Sequence, residues 1–285
     1  MLTSARLESV EPVRITRYIA LGDSFTEGLS DPDGVPLAVA DAPGLPGPWR
    51  GWADRLAAAA HQASLSAGGS GVEYANLAIR GRLLPQILAE QLPVALAAEP
   101  DLVSLIGGGN DVLRPGADPD VLAERLEHAV VRLRAAGAAV LMGTGVDPKG
   151  SPIIALTRGK VATYNAHIWS IAARRGTHVL DLWGMAQLKD WRVWAPDRLH
   201  LNAEGHALVA EMAARTLGIT GRPDGDLDVP RAGGLARPRS QALREDVAWV
   251  RGYVAPWVRR RLRGESSGDG RPAKRPEPLR LDVPD

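Results

Sequence analysis

The chain has no cysteine among its 285 residues. That absence excludes disulfides, thiolate metal sites and a cysteine nucleophile together, and it leaves a cytosolic address unopposed. An excess of either charge is missing too: 34 Lys and Arg stand against 33 Asp and Glu, for a net charge of +1. Nucleic-acid binding normally needs a clustered basic face, so this balance gives no reason to expect a nucleic-acid partner, and any basic partner site must be local. Long apolar runs are also lacking. Residues 1–17 carry Glu8, Glu11 and scattered Arg in place of the apolar stretch that export requires, and no later segment reaches the roughly 18 apolar residues of a spanning helix. The expectation is a soluble, cytoplasmic protein. With 45% of its residues hydrophobic, the chain can bury a substantial core, and its length fits one large domain plus an appendage.

The apolar run Ile19-Ala20-Leu21 breaks into Gly22-Asp23-Ser24, with Gly28 four residues after the serine. This pattern suggests a first strand that delivers a hydroxyl on a tight strand-to-helix turn, although Gly-Asp-Ser is also ordinary turn chemistry. Residues 29–48, rich in Pro, Gly and Asp, read as a long loop, either a wall of a substrate cleft or a surface insertion. Helical spacing over residues 49–67 is followed by a strand at 72–79 that stops at Arg80-Gly81, and by a helix at 83–98. The run 101–106 has the continuous apolar character of a parallel strand buried on both faces, and it opens into Gly107-Gly108-Gly109-Asn110-Asp111. Helices at 119–136 and 156–175, strands at 138–144 and 177–182, and a closing helix at 203–217 complete the alternation.

Alternating strands and helices imply a parallel sheet with right-handed crossovers and helices on both faces. The polar turns at the carboxyl ends of such strands line the ligand crevice, so the Ser24, Gly81 and Asn110 turns belong on one edge. Asp197 and His200 lie three residues apart in a segment bounded by Pro196 and a predicted N-cap at Asn202. One turn can therefore supply both an imidazole and the carboxylate that orients it, or it can be a surface loop with a solvated histidine. Asn110 is either an oxyanion donor or a helix-capping Asx turn, and Gly81 either offers an open backbone N–H or only reverses the chain. His206 reads as structural. Trp183, Trp191 and Trp194 either floor a pocket near His200 or serve as ordinary packing.

Taken jointly and in order, Gly22-Asp23-Ser24 with Gly28, residues 76–81, Gly108-Gly109-Asn110-Asp111 and Asp197-Arg198-Leu199-His200 resemble the four sequence blocks of the SGNH hydrolases, the GDSL esterase and lipase family. The resemblance spans residues 17–217. It implies a three-layer α/β/α sandwich with a flavodoxin-like, five-stranded parallel sheet, and no organic cofactor or metal. It further implies Ser24 as nucleophile, His200 as general base and Asp197 as its orienting acid, with an oxyanion hole formed by the backbone N–H groups of Ser24 and Gly81 and the side chain of Asn110. Phe25 stands where the family name expects Leu. The function expected is hydrolysis of small-molecule acyl esters through an acyl-enzyme. The alternatives are an acyltransferase using the same serine and an inactive binding module on the same fold.

The division expected is a hydrolase domain at 1–218, a linker with a basic amphipathic helix at 219–263, and a disordered polar tail at 264–285. The helical stripe of Leu243, Val247, Val250, Val254 and Leu262 ends in Arg259-Arg260-Arg261. It fits either packing against the domain or a second subunit, or docking on an anionic membrane surface.

Overall fold

The computed structural model describes residues 14–32, 49–151, 154–219, 247, 249–255, 259, 263 and 265–281. Five strands, β1 (Arg17–Gly22), β2 (Glu73–Asn76), β3 (Leu102–Ile106), β4 (Ala139–Gly143) and β5 (His178–Leu180), run parallel. A sixth, β6 (Arg275–Arg280), pairs antiparallel with β2, giving the order β5-β4-β3-β1-β2-β6. The helices are α1 (Ser24–Glu27), α2 (Gly51–Ser66), α3 (Leu84–Glu90), α4 (Leu92–Ala97), α5 (Gly109–Val112), α6 (Pro119–Ala135), α7 (Arg158–Arg175) and α8 (Ala203–Thr216).

Side chains alternate across a strand, and that alternation builds two cores from one sheet. Tyr18 and Ala20 of β1 join Leu102, Leu141 and Leu180 on one face, where Trp52 and Leu56 of α2 and Leu208 and Val209 of α8 cover them. Ile19 and Leu21 join Val103, Leu105 and Val140 on the other face, beneath Ile87 of α3, Leu126 and Val130 of α6, and Ile168 of α7. This is the expected three-layer sandwich. Among the described residues no helix is long and apolar enough to cross a membrane.

Three expectations need correction. Among the described residues the sheet adds a sixth, antiparallel strand to the five parallel strands expected. The helix read across 83–98 is two helices broken at Gln91, because Pro93 opens α4 and cannot continue a preceding helix. The break is used: buried Gln91 accepts from the Gly22 N–H and donates to the Gly22 carbonyl, both at 2.9 Å, pairing the end of β1 much as another strand would. Residues 265–281 are ordered rather than disordered. They form a turn and then β6, held by backbone pairing to β2 and by half-buried Lys274, which donates to the carbonyls of Glu27 (2.6 Å) and Trp49 (2.7 Å) and to Asp54 Oδ2 (2.5 Å). Of the expected loop at 29–48, residues 33–48 lie outside the described residues, as does most of the expected linker and basic helix at 219–263, of which Val250–Val254 forms a π-helical turn.

Burial pushes the Asp54 carboxyl up to about 6, against the opposing charge and hydrogen bond of Lys274. Lys274→Met should leave that half-buried carboxylate without its cation and cost about 1–3 kcal/mol of stability. Urea unfolding at pH 7.5 (about a unit and a half above that pKa) measures the loss; an unchanged midpoint would remove Lys274 as an anchor.

Candidate active site

Asp23 initiates α1. Its Oδ1 accepts the Phe25 N–H at 3.1 Å as an N-cap, which fixes Ser24 in the first turn of the helix. The turn is too tight for a side chain at position 22: a Cβ on Gly22 would lie 2.5 Å from Thr26 Oγ1 and 2.6 Å from the Ile106 carbonyl. Gly28, left-handed at φ +87°, closes α1 and lets Gly51 of α2 approach to backbone contact.

The second expected turn lies beside the first. Hydrogen bonds from Leu77 N to Ala20 O and from Ile79 N to Gly22 O carry the chain past the end of β2 along β1. Arg80 is then buried against Glu27, the last residue of α1: the Arg80 N–H donates to Glu27 Oε2 at 2.7 Å and Arg80 Nε to Oε1 at 2.9 Å, while Nη2 also meets Oε1. The ion pair locks the serine helix to the residue before Gly81. Gly81 itself is left-handed at φ +74°, and among the described residues its N–H has no hydrogen-bond partner.

The third turn brings Asn110 to the same edge. Its Nδ2 donates to Asp23 Oδ2 at 3.0 Å and to the Arg82 carbonyl at 3.1 Å. Asp23 thus caps α1 with one carboxylate oxygen and holds Asn110 with the other. Burial foremost raises the Asp23 carboxyl to about 6, against the hydrogen bonds of Phe25 and Asn110.

Asp197 and His200 supply the fourth component. Asp197 Oδ1 accepts the N–H groups of Leu199 and His200, each at 3.0 Å, which leaves Oδ2 to meet His200 Nδ1 at 2.6 Å. The turn requires a left-handed Arg198 at φ +55°, an unfavourable conformation for a side chain of this size. The Arg198 guanidinium lies 5.8 Å from the Trp191 ring centre and 5.6 Å from that of Trp249. His200 Nε2 then stands 2.9 Å from Ser24 Oγ. Burial alone would lower the His200 pKa, but the hydrogen bond and charge of Asp197 and the charge of Asp23 outweigh it and raise the imidazole above its ordinary value. Burial would raise Asp197, but the His200 hydrogen bond and charge and the two turn amides hold it below the usual carboxylate range. An imidazole held in this way can take the hydroxyl proton at Nε2 while Nδ1 stays fixed.

All five residues expected from the sequence, Ser24, Gly81, Asn110, Asp197 and His200, line one cleft of about 1810 Å³. Trp191 and Trp194 line it as well, whereas Trp183 does not; it lies beneath the Arg158 guanidinium at 5.1 Å. His206 is buried behind the serine turn against Phe25, and burial lowers its pKa to about 4. The sequence reading missed Glu27, Arg80 and Trp249, each ordinary in isolation. Among the described residues no group of three or more His, Cys, Asp and Glu is arranged to hold a metal ion.

The GDSL-like lipase/acylhydrolase family model matches residues 20–208. No curated protein matches this sequence. Similar solved structures include an acetylxylan esterase from Geobacillus stearothermophilus, 18% identical with a TM-score of 0.56 over 73% of this chain and 100% of that one. The psychrotrophic esterase EstA from Pseudoalteromonas is 17% identical, with a TM-score of 0.53 over 71% of this chain and 97% of that one. LAE5, an alpha/beta hydrolase enzyme from a Lake Arreo metagenome, is 19% identical with a TM-score of 0.57 over 72% of this chain and 95% of that one. At these identities the likeness is one of fold.

Because the neutral imidazole is the form that accepts a proton, kcat/KM for p-nitrophenyl acetate should rise with pH through an apparent pKa above the free-imidazole value of about 6.5. Asp197→Asn removes the partner that raises His200 and should move that limb to lower pH as well as slow the reaction. A limb that stays in place would uncouple Asp197 from His200.

Proposed function

The chain belongs to the GDSL-like lipase/acylhydrolase family and is a carboxylic ester hydrolase; from that footing we propose that it works through an acyl-enzyme on Ser24. One observation carries this reading: the continuous hydrogen-bond path from Ser24 Oγ through His200 to Asp197, with links of 2.9 and 2.6 Å. His200 Nε2 takes the Ser24 proton as Oγ attacks the acyl carbon, and Asp197 holds the imidazolium that forms. The tetrahedral intermediate collapses by breaking the bond to the leaving alcohol, which takes its proton from His200. Water then attacks the acyl carbon, His200 acts as base again, and the acid leaves as Ser24 regains its proton.

The developing oxyanion needs donors that are in place before the reaction. The Gly81 N–H, unbonded among the described residues, supports its assignment, as does the Ser24 N–H, which heads a helix and so has no intrahelical acceptor. Asn110 Nδ2 is engaged with Asp23 and Arg82, so its donation to an oxyanion requires one of those hydrogen bonds to be shared or given up. Asp23 thereby sets where the amide waits.

Ser24→Ala should abolish ester hydrolysis, and full retained activity in that variant would contradict the reading. Asn110→Ala should lower kcat about a hundred- to a thousandfold if the amide serves the oxyanion. A change confined to the melting temperature would make it a structural residue.

A further inference from the structure

The family match ends at residue 208 and the sandwich closes with α8 at Thr216, yet residues far beyond them touch three of the elements that build the site. Trp249 is buried, and its Nε1–H donates to the Asp197 carbonyl at 2.6 Å while its ring faces the Arg198 guanidinium. The turn at 266–270 packs on the Gly81 loop. Gly268 comes so near that a Cβ there would lie 2.0 Å from the Arg80 carbonyl and 2.9 Å from Ile79 Cγ2. Ser266 Oγ occupies the space a Gly81 side chain would take, 2.2 Å from the ideal Cβ position. Asp269 closes this turn onto the Ser266 N–H at 2.7 Å and reaches Arg82 Nη1 at 3.3 Å. Beyond the turn, Lys274 donates to the Glu27 carbonyl at the end of the serine helix.

The contacts are selective. The acid–base turn, the Gly81 loop and the serine helix come from three separate parts of the sequence, and the C-terminal residues bind the backbone of each. An arm that served only to protect the edge of β2 would need β6 alone. We propose that Trp249 and residues 265–281 form a positioning strap of the active site: Trp249 holds the Asp197–His200 turn in register, and the turn around Gly268 holds the Gly81 loop where its N–H can donate. The proposal rests on the acyl-enzyme reading, since it is that chemistry which the strap would hold in geometry. Positioning errors of about 1 Å can cost on the order of a hundredfold in rate, so contacts that never touch substrate can still govern turnover.

Two variants of the full chain separate the strap's two arms. Trp249→Phe keeps an aromatic ring against Arg198 but has no N–H to give Asp197. It should lower kcat about three- to tenfold, the usual worth of one hydrogen bond, with little change in KM. It should also move the acid limb of the kcat/KM profile to lower pH, because a loosened Asp197 supports the imidazolium less. Gly268→Ala places a methyl against the Arg80 carbonyl and should lower kcat about ten- to a hundredfold without moving that limb, since the His200–Asp197 contact is left intact. Asp269→Asn loosens the same turn without a steric clash and should act in the same direction, which keeps the second arm testable if Gly268→Ala does not fold. Wild-type kcat and pH profile in Trp249→Phe and Asp269→Asn, with only a lower melting temperature, would overturn the proposal. Ser24→Ala in the same assay separates the two levels: an inactive Ser24→Ala beside fully active strap variants refutes the strap alone, whereas an active Ser24→Ala refutes the acyl-enzyme reading beneath it.

Discussion

Glu27 and Arg80 bury opposite charges where water cannot solvate them, and burial of this kind is tolerated only when the pair is closely matched and its remaining polar atoms are satisfied. Here the carboxylate receives both the guanidinium and the Arg80 backbone N–H, and the guanidinium also lies 5.5 Å from the Trp49 ring centre. The cost of separating the two makes the contact stiff. Its position gives that stiffness a use, because Glu27 ends the helix that begins with Ser24 and Arg80 directly precedes Gly81. A change in the distance between the serine helix and the Gly81 loop would have to break a buried ion pair. The other contacts around the cleft add to this fixed edge: Gln91 clamps Gly22, and Asn76 Nδ2 donates to the Thr26 carbonyl at 2.9 Å.

Two aspartates show how few atoms the arrangement needs. Each divides its carboxylate oxygens between a local and a distant duty. Asp23 caps its own helix with Oδ1 and holds Asn110 with Oδ2; Asp197 closes its own turn with Oδ1 and holds the imidazole with Oδ2. The opposite shifts of the two groups follow from their partners. Asp23, whose burial outweighs the two hydrogen bonds and the more distant charge of His200, is raised to about 6, whereas Asp197, in direct contact with an imidazole and two amides, is lowered.

The parts of this site that are legible in the sequence are those whose chemistry is local. A serine on a glycine-bracketed turn, an Asn after a glycine run at a strand end, and an Asp and His within one turn each need particular residue types at fixed short spacing. The strands are legible for the same reason, since burial on both faces leaves continuous apolar runs. What the sequence does not reveal is long-range or carried by the backbone. Glu27 and Arg80 are 53 residues apart, and nothing in either neighbourhood marks them as partners. β6 is invisible to hydrophobic periodicity because it is an exposed edge strand anchored by Lys274 and by main-chain pairing. Its Pro276 and Pro278 would argue against a central strand, but an edge tolerates residues with no N–H to donate on its open side. The order seen over 265–281 therefore comes from contacts that a polar, proline-containing composition cannot display.

Convergence on Ser24 is the point on which the rest stands. Treating the protein with a fluorophosphonate and mapping the adduct by peptide mass spectrometry tests it directly, because such a probe reports a serine hydroxyl activated by a neighbouring base. A single adduct on the peptide containing Ser24, lost in His200→Ala, is the expected result. An adduct on another serine, or an active esterase that takes up no probe, would contradict it.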